Sequence, residues 1–129
     1  MENQVANTLP KKERLCGKKG IERLLAKGRH GNLGRLRYIY AAGSGETCNR
    51  ILVSVPKKLF KRAVKRNLLK RRIRESWRRL KSGMTYTGVD ILFIYSSKEI
   101  LSYEEIHNLI EQAICKINES LEKQNQASN

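Results

Sequence analysis

Basic side chains recur at helical spacing in the run from Pro56 to Lys81, and together they could hold a polyanion. Thirteen Lys or Arg and one acid lie between Lys57 and Lys81, so this run carries +12 of the formal net charge of +15. On a helix, residues three, four or seven positions apart share a face, here a sector of about 100°. The polar members of this stripe are Asn67, Lys70, Arg71, Arg74 and Arg78. The predominance of arginine favours phosphate contact, because the planar guanidinium forms paired hydrogen bonds with phosphate oxygens.

A second, apolar stripe on the same run predicts how the helix is held. Its members fall in a different sector of about 80° and predict packing on a core: Leu69, Ile73, Trp77 and Leu80. By angle Arg66 lies on this packing side, so it either extends past Trp77 to reach a ligand or serves the fold. Asn67 is neutral and has four open roles, namely contact with a base, a 2′-hydroxyl or a metal-bound water, or capping of a local backbone group.

Runs of charged residues often form only a solvated helix face. The proportion of acids in the run decides between such a face and a surface that binds a polyanion. A solvated helix usually mixes signs to form ion pairs four residues apart, whereas this run has Glu75 alone among thirteen bases. A net charge of +15 also destabilises a compact chain unless a polyanion neutralises it. Nucleic acid is the favoured partner over a membrane, because the apolar stripe is too narrow for an interfacial helix.

The sequence predicts no catalytic residue in this chain and no metal ion held by its side chains. Asp90 is the only aspartate, and His30 and His107 stand apart from any nucleophile or acid at a motif spacing. The three cysteines, Cys16, Cys48 and Cys115, lack ligand spacing and are expected to be reduced thiols. No apolar run is long enough to span a bilayer and no signal-peptide pattern opens the chain, so we predict a cytoplasmic protein with no membrane partner and no small-molecule substrate.

Periodicity along the chain predicts an α+β fold with a single mixed sheet of three to four strands. The expected elements are a helix over 18–27, a loop over 31–34, strands over 35–42, 50–55 and 89–95, a basic helix from Leu59 or Phe60 to Leu80, and a helix opening at Ser102. We expect a single domain over 11–118 with disordered tails at 1–10 and 119–129. One short extra strand has no assigned place. If the strands that flank the basic helix are parallel, the general rule predicts a right-handed crossover.

The spacing Arg66-Asn67-x-x-Lys70-Arg71-x-x-Arg74-Glu75 resembles the signature of the bacterial ribonuclease P protein subunit. The likeness extends to LCGKKGIERLLAKGR at 15–29, similar to the family's N-terminal helix, and to SVPKK at 54–58, which stands where the family has Ser-x-Ser-Lys-Lys. It covers roughly residues 14–118. The chain departs from the family at Ile21 and Leu25, where phenylalanine is common.

The resemblance implies an accessory subunit of an endoribonuclease rather than a catalyst in its own right. Its partners would be a catalytic RNA and precursor tRNA, whose 5′ leader is removed with magnesium ions held by the RNA. The RNA-binding residues it implies are Arg66, Asn67, Lys70, Arg71 and Arg74. Arg78 of the polar stripe, together with Lys57 and Lys58, completes the predicted RNA-binding set. The leader would enter a cleft between the sheet and the N-terminal helix, lined by Tyr38 and Tyr40 or by Arg35 and Arg37. The family fold also implies a left-handed crossover.

An alternative from another functional class is a non-enzymatic RNA-binding module, such as a ribosomal or ribosome-assembly protein. Such a protein accounts equally well for the charge and for the basic helix. Only the spaced motif from Arg66 to Glu75 favours the ribonuclease P subunit over this alternative.

Overall fold

A computed structural model describes residues 11–15 and 17–127, which form three helices and four strands in the described part. The helices are α1 (Lys18–Lys27), α2 (Ala63–Leu80) and α3 (Tyr103–Ala127). The strands are β1 (Arg29–Asn32), β2 (Leu36–Ala41), β3 (Arg50–Ser54) and β4 (Asp90–Tyr95). Short 3-10 turns lie at Lys11–Glu13 and Lys81–Gly83. The predicted tail at 1–10 lies outside the described residues.

The strands form one mixed sheet in the order β1-β2-β4-β3, which confirms the predicted α+β class. β2 is antiparallel to both β1 and β4, whereas β3 is parallel to β4. The basic helix α2 therefore connects two adjacent parallel strands. The handedness of this crossover, right-handed by the general rule and left-handed by the resemblance, stays a prediction.

The two faces of the sheet bury different clusters. One face packs under α2 and α3 in the larger core, which includes Trp77 and Phe93 with ring centroids 6.0 Å apart. The other face packs under α1 in a smaller cluster centred on Leu24. Since successive side chains of a strand point to opposite faces, alternate residues of β2 and β4 belong to different clusters.

β1 is the short strand that the sequence could not place, and it occupies part of the segment expected to be loop. The loop prediction for 31–34 is wrong at Gly31 and Asn32, which pair with Tyr38 and Arg37 of β2. The Tyr38 ring lies over Gly31 so closely that a Cβ atom there would stand 2.0 Å from Cζ of the ring. A glycine is required at this position because only its bare backbone leaves room for the ring.

Helix α1, the end of α2 and the start of α3 lie where the sequence predicts them, whereas the start of α2 and the end of α3 differ. α2 begins at Ala63 rather than at Leu59 or Phe60. α3 runs to Ala127, so the predicted disordered tail from 119 is wrong for residues 119–127. Leu121 is buried four residues after Ile117 and extends the same apolar face. Leu121 therefore extends the packed face of α3 by one turn beyond Ile117.

The segment before α1 lies along the free edge of β3. Arg14 forms an isolated parallel bridge with Ile51, and the backbone nitrogen of Leu15 donates to the carbonyl of Ile51 at 2.8 Å. Glu13 accepts a hydrogen bond from Nζ of Lys81, at 2.6 Å, just past the end of α2. These contacts bring Arg14 to the side of the fold that carries the basic helix.

Candidate RNA interface

The apolar stripe of α2 is buried as the sequence predicts. Leu69 and Ile73 are inaccessible to solvent, Trp77 is 1% exposed, and Leu80 is partly buried against the same core. Ser76 joins this face and donates its hydroxyl to the carbonyl of Arg72 at 2.9 Å. Because the apolar stripe is fixed to the sheet, the direction of the opposite stripe is fixed too.

The polar stripe of α2 faces solvent. Asn67, Arg71 and Arg74 are exposed and Lys70 is half-buried. Among the described residues, no acid lies within ion-pair distance of Lys70, Arg71 or Arg74. Three cations thus project from one rigid helix without a neutralising partner in the described chain, an arrangement suited to a run of phosphates.

Arg74 lies beside a second cation, Arg14. Burial lowers the pKa of its guanidinium, and the nearby charge of Arg14 lowers that pKa further. Both effects disfavour the charged form, and the negative charge of a bound anion opposes both. The N-terminal segment therefore adds a second cation beside the polar stripe.

Arg78 differs from the other stripe residues because it is already neutralised. Its Nη2 and Nε atoms lie 2.5 and 3.1 Å from the two carboxylate oxygens of Glu75, and Nε of Arg79 lies 3.1 Å from the same group. The hydrogen bond from Arg78, which outweighs the opposing effect of burial, lowers the pKa of Glu75. RNA contact by Arg78 stays a prediction, and it competes with this intrahelical pair.

Arg66 serves the fold with one of its nitrogens. Nη1 donates to the carbonyls of Phe60 and Lys61, each at 2.8 Å, and so holds the loop that enters α2. Lys57 and Lys58 are exposed in the turn between β3 and this loop. They add two cations near the first turn of α2, and their RNA contact stays a prediction.

Tyr38 and Tyr40 lie on the face opposite to the predicted leader cleft. They are 4% and 5% exposed in the core under α2 and α3, and Tyr40 donates its hydroxyl to Ser120. Burial raises the pKa of the Tyr38 hydroxyl, in keeping with its enclosed position. The stacking role predicted for these two tyrosines is wrong, because the pleat directs both rings away from α1.

The α1 side of the sheet instead carries an open cleft of about 290 Å³. Register and strand alternation place the following lining side chains on this face: His30, Asn32, Arg37, Ile39 and Ile94. Arg37 is exposed and has no ion-pair partner among the described residues, whereas Nη1 of Arg35 lies 2.9 Å from Oε2 of Glu105. Of the four predicted leader residues, only Arg37 lines the cleft with a free cation.

Several cleft residues give no signal in the sequence. His30 and Asn32 belong to β1, which has no strand signal of its own, and Ile94 lies in an apolar strand that gives no facial pattern. The two-residue period of β2 did group Arg37 with Ile39 and separate them from the tyrosines. The alternation therefore predicts which side chains share a face of the sheet, but it does not predict which helix covers that face.

A buried ion pair ties α1 to the sheet. Asp90 is inaccessible to solvent and accepts hydrogen bonds from Nε and Nη2 of Arg50, both at 2.8 Å. Nη1 of Arg23, from α1, lies 3.7 Å from the same carboxylate, and its Nη2 donates to the carbonyl of Ala42 at 2.5 Å. Leu24 is buried on the sheet, whereas Leu25 is 55% exposed.

The described residues hold no group of three His, Cys, Asp or Glu side chains placed to bind a metal ion. None of their helices has both the length and the apolar character needed to span a membrane.

Comparisons with known proteins agree on one family. The family model described as Ribonuclease P matches residues 9–118. The ribonuclease P protein component of Porphyromonas gingivalis is 31% identical over 117 residues, covering 84% of this chain and 85% of the relative. That of Chlorobaculum tepidum is 38% identical over 84 residues, covering 61% of this chain and 54% of the relative. The solved RNase P protein of Staphylococcus aureus is 27% identical, with a TM-score of 0.70 over 81% of this chain and 94% of that one.

Proposed function

The chain belongs to the ribonuclease P protein family, and we propose that the polar stripe of α2 binds the catalytic RNA of ribonuclease P while the cleft beside α1 receives the precursor-tRNA leader. As a subunit of this endoribonuclease the chain takes part in maturation of the tRNA 5′ end, and the catalytic role lies in the RNA. One observation carries the proposal for the stripe. Among the described residues, no acid forms an ion pair with Lys70, Arg71 or Arg74.

The proposed division of labour follows from the shapes of the two surfaces. A straight row of cations on a helix suits the backbone of a folded RNA, because phosphates repeat along it at regular spacing. The cleft combines Arg37 with the apolar side chains of Ile39 and Ile94, which suits a single strand whose bases lie against an apolar surface. Here aliphatic contact replaces the aromatic stacking predicted from Tyr38 and Tyr40.

Magnesium in the holoenzyme is assigned to the RNA in this proposal. The protein contributes affinity and position by neutralising phosphate repulsion where the RNA subunit and the leader approach each other. We place this activity in the cytoplasm.

Reconstitution tests this function. Wild-type protein should lower the magnesium concentration needed for precursor-tRNA cleavage by the RNA subunit. Arg71→Ala and Arg74→Ala should each weaken binding of the RNA subunit about tenfold and reduce the slope of log affinity against log salt by about 0.9, the value for one phosphate contact.

Arg79→Ala is the matched control, because it removes the same charge from α2 outside the polar stripe. It should leave the salt slope close to that of wild type. Equal effects at Arg71 and Arg79 would mean that net charge rather than the stripe governs binding, and an unchanged magnesium requirement would refute the function.

A further inference from the structure

Two apolar side chains lie on the outer side of α2, next to the polar stripe. Val64, in the first turn of the helix, is 79% exposed, and Leu68, one turn further along, is half-buried. We call these two residues the apolar pair. Neither of the core clusters formed by the described residues includes Val64 or Leu68, so packing of the core does not explain the pair.

Helix geometry sets the apolar pair against the edge of the polar stripe. At about 100° per residue, Leu68 is rotated by about 40° from Val64, and Arg71 by about 20° from Val64 in the opposite direction. Asn67 lies about 60° from Val64 on the same side as Arg71. A ligand held by Asn67 and Arg71 therefore lies directly beside the apolar pair.

The exposure of Val64 is not that of an isolated surface residue. A single exposed apolar side chain is ordinary and needs no explanation. Leu68, however, continues the surface of Val64, because residues four positions apart are neighbours on a helix. Valine is also a weaker helix former than alanine or lysine, so helix propensity does not explain Val64 in an exposed first turn. Contact with a ligand explains both the exposure and the pairing.

The charge around the apolar pair selects its partner. No acid occurs between Lys57 and Arg74, and the cations Lys61 and Lys65 that flank Val64 in sequence are exposed. A second copy of a chain with a net charge of +15 would be repelled, and two residues form too narrow a face to lie in a bilayer. RNA fits both features, because it joins a negative backbone to bases whose faces are apolar.

We propose that the apolar pair contacts the face of an unstacked nucleobase in the catalytic RNA while Arg71 holds a phosphate of the same region. This rests on the proposed binding of that RNA by the polar stripe. A base in a loop or bulge exposes its faces, and proteins place aliphatic side chains such as leucine against bases that have left their stack. The apolar pair therefore selects a place where the RNA departs from a regular duplex, which phosphate contacts alone do not do.

The salt dependence of binding separates this contact from a phosphate contact. Val64→Ala/Leu68→Ala should weaken binding of the protein to the full-length RNA subunit by about tenfold, because apolar area that the complex buries is lost. The slope of log affinity against log salt should stay at the wild-type value, since no cation is removed. Arg71→Ala, in contrast, should reduce that slope by about 0.9.

Abasic nucleotides identify the base. Each unpaired nucleotide of the RNA subunit is replaced in turn by one that keeps the ribose and the phosphate but lacks the base. One such replacement should weaken binding of wild type about tenfold and should weaken binding of the double variant little further, because both changes remove the same contact. Equal effects on the two proteins at every position would show that the apolar pair holds no base.

Two controls exclude a general loss of apolar surface and a loss of fold. Leu25→Ala removes an exposed leucine from α1 and should leave affinity for the RNA subunit alone unchanged. Val64→Ala on its own should not lower the free energy of unfolding in urea, because alanine is the better helix former, yet it should weaken RNA binding by about threefold.

Each contrary result has its own meaning. If Arg71→Ala reduces the salt slope while the double variant binds as wild type does, the polar stripe stands and the apolar pair has no role in binding. A salt slope that falls in the double variant as it does in Arg71→Ala would mean that a phosphate contact was lost, and it would overturn the inference. Loss of binding to vesicles of anionic phospholipid, with RNA affinity kept, would assign the pair to a membrane instead. If Arg71→Ala and the double variant both bind RNA as wild type does, the proposed function of the stripe fails.

Discussion

The polar stripe of α2 and the Asp90 end of the sheet both concentrate arginine, but their charges are neutralised differently. At the sheet end Arg50 and Arg23 surround a fully buried carboxylate, and Arg50 forms two hydrogen bonds to it. On α2, Arg71 and Arg74 project from the helix without an ion pair among the described residues, because the carboxylate of neighbouring Glu75 is bound to Arg78 and Arg79. The presence of an ion-pair partner, rather than the local number of arginines, therefore separates an arginine that holds the fold from one available to RNA.

The largest effect should come from removing the buried acid. Asp90→Asn leaves Arg50 without its counter-charge, and removing one partner of a buried ion pair typically costs about 3–5 kcal/mol. We expect urea unfolding to show a loss in unfolding free energy at or somewhat below that range, since Arg50 keeps partial access to water. RNA affinity of the folded fraction should change little.

Glu46→Gln provides the comparison for Asp90→Asn. Glu46 is exposed and its carboxylate lies 3.8 Å from Nη1 of the same Arg50, so its loss should cost at most about 1 kcal/mol. If the two substitutions destabilise the protein equally, burial does not set the strength of this network and the contrast with α2 loses its basis.

The polar face of α2 is predictable from local spacing. The positions of Asn67, Lys70, Arg71 and Arg74 follow from helix geometry alone, once Leu69, Ile73 and Trp77 identify the packing side. Helix geometry also predicts Arg66 on the packing side, and the residue is half-buried. The hydrogen bonds from Arg66 to the backbone carbonyls of Phe60 and Lys61 are not predictable from spacing, because these carbonyls belong to an irregular loop.

Surfaces that depend on contacts between distant segments were harder to predict. A strand period of two separates Arg37 from Tyr38, but only the docking of α1, α2 and α3 decides which face is open. β1 exists because it pairs with β2, not because its residues favour a strand. The last turns of α3 depend on Leu121 and on side-chain contacts with β1 and β2, more than 70 residues earlier in the chain.

An effect of intermediate size, on the affinity for precursor tRNA, should distinguish Arg37 from Arg35. Arg37 lies in the cleft without an ion-pair partner in the described chain, whereas Arg35 pairs with Glu105 at 2.9 Å. Arg37→Ala should weaken precursor-tRNA binding by about three- to tenfold when a leader is present and leave mature tRNA binding unchanged. Arg35→Ala should change leader affinity less than about twofold. A larger effect at Arg35 than at Arg37 would break the rule that unpaired cations mark the RNA surface.

The smallest effect on RNA affinity should come from Glu75, whose carboxylate pairs with an arginine of the polar stripe and with one outside it. Its carboxylate holds Arg78 and Arg79, so Glu75→Gln releases a stripe cation and removes the one acid between Lys57 and Lys81. RNA affinity should rise by roughly two- to fivefold, the equivalent of an exposed ion pair of about 0.4–1 kcal/mol. Glu111→Gln, at an exposed acid of α3, is the control for the change in net charge and should bind RNA as wild type does.

The same substitution should weaken the fold in a pH-dependent way. Hydrogen bonding lowers the pKa of Glu75 in the folded chain below its ordinary value of 4.5, so the carboxylate stabilises the protein above the unfolded-state pKa. This contribution is lost as pH falls through the lowered folded-state pKa. The difference in unfolding free energy between wild type and Glu75→Gln should therefore be constant near neutral pH and shrink in acid below 4.5. A difference that instead grows on acidification would mean that Glu75 is not held by Arg78, and that Arg78 belongs with the unpaired cations of the stripe.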